Sequence, residues 1–98
     1  MAEITIQIVQ ALLEEAFPHG QPLTWVTKAE VYIQGKGDIV IERDPPTSEP
    51  LVCWTACFVP YDNDIVGGWT KSRLHTVEDV KGWVANLVQE RPYLMELP

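Results

Sequence analysis

Ninety-eight residues make one compact domain and are too few for two, so residues 1–98 are read as a single unit. A hydrophobic fraction of 46% with four tryptophans excludes a disordered chain. Fourteen acidic residues against seven basic ones leave a formal charge of −7, which opposes direct binding to nucleic acid or anionic lipid and turns any macromolecular contact toward a basic protein surface. No stretch approaches the roughly 20 apolar residues of a membrane-spanning helix. Met1-Ala2-Glu3-Ile4 does not open a secretory signal, and two cysteines build no disulfide framework. The expected location is the cytoplasm of the producing or host cell.

From Ile4 to Phe17 the apolar residues Ile6, Val9, Leu12, Leu13, Ala16 and Phe17 recur at helical spacing, with Gln7, Gln10, Glu14 and Glu15 opposite them. Thr5 or Glu3 can start this helix, and Pro18 stops it. Residues 23–34 alternate, with Trp25, Thr27, Ala29, Val31 and Ile33 on one side, and read as one strand. Gly35-Lys36-Gly37 is a tight turn into a second strand over 38–43, with Ile39 and Ile41 inward. The proline-rich stretch 44–50 is a loop. Residues 51–60 form a third strand, apolar on both faces. Leu51, Cys53, Thr55, Cys57 and Val59 lie on one face, and Val52, Trp54, Ala56 and Phe58 on the other. That pattern places it mid-sheet, with its second face covered by a loop, the C-terminal tail or a partner.

Residues 61–68 are a loop, and 69–74 add a short fourth strand. Thr76, with Asp79 three residues on, caps a last helix whose apolar stripe is Val77, Val80, Trp83, Val84, Leu87 and Val88. Gly82 within it is expected to permit close packing, Pro92 ends it, and the apolar tail 93–97 folds back on the body. The fold class is therefore α+β, a two-layer sandwich ordered helix, three- or four-stranded antiparallel meander, helix. The double-stranded-RNA-binding domain has the same coarse order, but it grips phosphate with basic residues at the start of its last helix. Here that turn reads Thr76-Val77-Glu78-Asp79, so no function is carried over.

The chemistry-bearing residues are few. On a strand, Cys53 and Cys57 stand about 13 Å apart. That is too far for a disulfide, which needs Cα atoms within about 7 Å, and too far to share a zinc ion, so both are read as structural thiols. Asp62-Asn63-Asp64 begins like a calcium loop, but Val66 and Arg73 stand where oxygen ligands belong. Trp69, Lys71, Arg73 and His75 share one side of an extended strand and form the chain's one basic and aromatic stripe. It is read as a solvated edge that discourages edge-to-edge pairing. No nucleophile elbow or metalloprotease motif is present. No enzyme, cofactor or metal is expected.

The functional expectation is a small acidic protein that acts by binding another protein, most concretely an inhibitor of the phage anti-defence, immunity or antitoxin type. It would mask a basic, nucleic-acid-binding surface, with charge steering association and an aromatic residue anchoring it. The expected contacts are Glu14, Glu15, Asp62, Asp64, Glu78 and Asp79, with Trp69 as the tryptophan least expected in the core. The alternative is a structural or adaptor subunit, or a homodimer. It would pair through residues 69–74 or 38–43, or dock its tail on a neighbour.

Overall fold

The structure, a computed structural model, describes residues 4–44, 53–60 and 69–96. Helix α1 (Ile6–Ala16) begins where the Thr5 hydroxyl accepts the Ile8 N–H at 3.2 Å. It ends where the Phe17 N–H closes on the Leu13 carbonyl just ahead of Pro18. Among the described residues five strands follow: β1 (Gln21–Thr24), β2 (Lys28–Ile33), β3 (Gly37–Arg43), β4 (Trp54–Pro60) and β5 (Trp69–Leu74). They pair in chain order as one antiparallel meander. Helix α2 (Val77–Glu90) opens on a capping box: Asp79 N–H donates to the Thr76 hydroxyl, and the Asp79 carboxylate receives the Thr76 N–H. A 3-10 turn, Pro92–Met95, closes the described chain.

Both helices cover the same face of the sheet. Val9, Leu13 and Phe17 of the first and Val80, Trp83 and Leu87 of the second are buried there. They meet Ala29, Val31, Ile33, Ile39, Ile41, Trp54, Ala56, Phe58 and Leu74 from the strands. The α+β sandwich of helix, meander and helix is thus the architecture, with one strand more than the alternation implies.

The extra strand comes from the segment 23–34, which is two strands and a turn. Trp25 N–H donates to the Lys28 carbonyl at 2.9 Å, and the Thr27 carbonyl is taken by the Arg43 N–H at 2.8 Å. Trp25 and Thr27 therefore lie at an exposed hairpin tip, while Ala29, Val31 and Ile33 alone point into the core. Turn and strand share the same parity, so alternation alone cannot separate them.

Three further expectations change. Strand β3 pairs with β2 on one side and β4 on the other, so residues 38–43 offer no free edge. A Cβ at Gly82 would meet nothing within 4 Å, so this glycine serves no close packing. The tail does fold back, but onto the helical layer: Leu94 is fully buried and His19 Nε2 donates to its carbonyl at 2.6 Å. Lys36 Nζ donates to the Glu96 carbonyl nearby. Leu94 is therefore no docking element for a neighbour.

Glycine is required at Gly37, with φ +149°, where an added Cβ would lie 2.3 Å from the Val59 carbonyl oxygen of β4. Between β4 and β5 the register shifts, and on β5 Arg73 takes φ 62°, a bulge. Its effect is to break the stripe read along residues 69–75. Trp69 and Lys71 lie opposite Phe58 and Ala56, on the helix side, but beyond the bulge it is Leu74 that pairs with Trp54 on that side.

Candidate functional site: the uncovered face of the sheet

Residues directly opposite in antiparallel strands share a face, so the register lays out the side away from the helices row by row. One row is Gln21, Tyr32, Asp38 and Val59. The next is Leu23, Glu30, Val40, Cys57 and Thr70, and the third is Lys28, Glu42 and Thr55. None of these residues is buried. Among the described residues no element covers them. Val59 is 49% exposed and Leu23 40%. Apolar side chains alternate with three carboxylates, Glu30, Asp38 and Glu42. Asp44 stands just beyond the end of β3, accepting the Thr55 hydroxyl at 2.7 Å.

The carboxylates are crowded. Asp38 titrates above the ordinary carboxylate range, first because partial burial disfavours its charge. A hydrogen bond to Glu30 and the negative charge of Glu30 push the same way, and Lys28 offsets them in part. Two acids on neighbouring strands thus share a site that one ammonium does not neutralise. A partner's cation placed there would relieve that repulsion.

The hairpin tip lies at the end of the sheet, beside the start of α1. Val26 is 93% exposed and Trp25 52%, with Lys28 Nζ 5.1 Å from the Trp25 ring centroid. A β-branched residue and a tryptophan at a turn tip contradict the usual preference for Asn, Asp and Gly. They hold apolar surface in water, Trp25 with only the Lys28 ammonium near its ring among the described residues. A shallow groove of about 510 Å³ runs beside the tip, between Thr24, Trp25, Arg43 and the start of α1.

The contacts expected from sequence are scattered. Glu14 and Glu15 are exposed on α1, and Glu15 lines a groove between the two helices with Lys81 and Val88. Glu78 and Asp79 line a different groove, between β5 and α2. Asp79 is held below the ordinary carboxylate range, by the backbone N–H of His75 foremost and by that of Thr76. Asp62 and Asp64 fall outside the described residues.

Trp69 is corrected: it packs against the core and stacks on Trp83 with ring centroids 5.6 Å apart, and the Arg91 guanidinium lies 5.6 Å from its ring. Trp25 is the exposed tryptophan instead. Sequence reasoning missed Glu30, Asp38 and Glu42, which sit on the polar half of the strands' alternation, and Trp25, which alternation places on the inward side but which lies at the turn.

Cys53 and Cys57 are not joined by a disulfide. Cys53 Sγ lies 3.7 Å from His75 Nδ1, and the Thr70 hydroxyl donates to Cys57 Sγ at 3.4 Å. Among the described residues, no three of His, Cys, Asp and Glu converge as a metal site would need, and no helix is long and apolar enough to cross a membrane. No protein family matches the chain, and no curated protein or solved structure matches it either.

Proposed function

We propose that this domain acts without catalysis, by binding a basic surface of another protein through the uncovered face of its sheet. The most concrete form is an inhibitor that masks a surface meant for nucleic acid, as an anti-defence, immunity or antitoxin protein does. The observation that carries the reading is the crowding of Glu30 against Asp38 on a face that also presents Val40, Cys57 and Val59 to solvent. Like charges held together in partly buried surroundings are unfavourable alone and favourable beside a cation. The apolar residues between them supply area that excludes water, and Trp25 with Val26 supplies an anchor at the rim.

Capture of host proteins by the native chain, compared with a Glu30→Lys/Asp38→Lys variant of unchanged circular dichroism, tests the proposal. A partner retained by the native chain should be lost by the double variant, and lost also as salt rises several-fold above physiological strength. Retention that ignores both changes would sink the charge-led interface. Loss with Trp25→Ala alone would assign the contact to the tip.

A further inference from the structure

The helical layer has an outer side as well as the inner side that packs on the sheet. On that outer side α1, α2 and the 3-10 turn enclose a groove of about 710 Å³. Leu12 and Ala16 line it from the first helix, Val84, Ala85 and Val88 from the second, and Met95 from the turn. Ala85 and Met95 are exposed to solvent. Alanine on both walls lets the backbone of another helix approach closely.

Two charged residues line this groove, Glu15 on α1 and Lys81 on α2. Both are exposed, and no ion pair engages either among the described residues. In a chain of net charge −7 the lining is thus a neutral strip with one charge of each sign. The first helix also carries a ridge that matches such a groove. Ile8, Ala11, Leu12 and Glu15 follow the i, i+3, i+4, i+7 spacing of an amphipathic helix laid in an apolar groove. None of the four is buried, while Val9, Leu13 and Phe17 turn into the core.

We propose that this groove receives helix α1 of a second copy of the chain. The two copies form a two-fold dimer in which each α1 ridge seats in the other's groove and each Glu15 meets Lys81 of the other copy.

A two-fold contact uses the same patch on both copies, so what one surface offers the other must accept. This patch offers an apolar ridge and an apolar groove together. Its two charges have opposite signs, so a two-fold axis turns them into two cross-copy pairs with no charge left over. Charge also sorts the occupants. A basic partner gains at Glu15 and loses at Lys81, and an acidic partner does the reverse. Two copies of net charge −7 repel, and a neutral strip is where they approach at least cost. Apolar area leaving water drives the contact, and the exposed charge pairs set its register. The uncovered face of the sheet lies on the far side from both helices. The two contacts therefore do not compete, and the two proposals can fail separately.

Sedimentation of the full chain from micromolar to millimolar concentration tests the proposal, with circular dichroism as the control for folding. We expect a reversible monomer–dimer equilibrium. Glu15→Lys and Lys81→Glu, both at exposed helical positions, should each weaken the dimer at least about tenfold, because each sets two like-charge contacts across the axis. An equimolar mixture of the two variants should restore near-native affinity. The mixed pair regains both opposite-charge contacts and carries the same total charge as two native chains. Ala11→Gln, which keeps the charge and suits a helix, should also weaken the dimer by obstructing the ridge. A monomer at every concentration would overturn the proposal and leave the groove to a different partner. So would a dimer that neither charge variant weakens, or a mixture no tighter than either variant alone, since both place the contact elsewhere.

Discussion

The two faces of β4 are chemically alike and physically opposite. Trp54, Ala56 and Phe58 are buried, while Thr55, Cys57 and Val59 on the same strand stay partly or largely open. Composition does not make that difference. Both helices flank the meander in the chain and dock on one side, so one face receives two apolar stripes and the other receives none among the described residues. An apolar residue in a strand is therefore a core residue only where topology provides a lid. Where it does not, the same residue stays open to solvent.

The sharpest way to break this contrast is to remove one side chain from each face. Phe58→Ala should cost about 3–5 kcal/mol in urea unfolding, because it leaves a cavity that neighbours fill only partly. It also strips the ring that the Arg91 guanidinium approaches at 5.5 Å. Gln10→Met should act in the other direction. Gln10 is buried in α1 with neither amide nitrogen nor amide oxygen hydrogen-bonded, so an apolar replacement of similar length should raise stability by about 1–2 kcal/mol.

Val40→Ala on the uncovered face should cost less than about 1 kcal/mol yet weaken partner capture. A loss matching that of Phe58→Ala would mean the face is covered after all. The smallest effect expected is that of Asp38→Asn, read from melting temperature against pH. A carboxyl whose folded pKa is raised contributes stability below its ordinary pKa and loses it as pH rises through the folded value. The asparagine variant should therefore match the native chain in acid and exceed it at neutral pH. A variant less stable at neutral pH would contradict the crowding of Asp38 by Glu30.

The helices, the hairpin at Gly35-Lys36-Gly37 and the mid-sheet place of β4 were legible because each rests on a local rule: a 3.6-residue period, a cap, a glycine turn, a doubly apolar strand. The split of residues 23–34 was not legible. A turn of Trp25, Val26 and Thr27 has no turn chemistry and preserves the alternation on both sides. The candidate surface was hidden for another reason. Glu30 and Asp38 lie eight positions apart, and only the register of β2 on β3 makes them neighbours. The helical pairs Glu14-Glu15 and Glu78-Asp79 drew attention because they are adjacent in sequence, yet they line separate grooves. The bulge at Arg73 belongs to the same class, since it depends on how β5 meets β4 rather than on any residue type favouring positive φ.

The clasp between the 3-10 turn and the rest of the body sets an order of events as the chain is made. His19 and Leu94 are 75 residues apart, and Lys36 and Glu96 are 60 apart, yet each pair is bonded. At synthesis rates of about 5–20 residues per second, His19 waits about 4–15 seconds for the leucine that seals its end of the core. Over that interval the apolar stripe of α1 and the inner faces of the early strands have no second helix to meet. Until Leu94 docks, that apolar surface stays open to water. Substitutions at Leu94 should therefore lower the yield of native protein made in cells more than they lower its stability once folded.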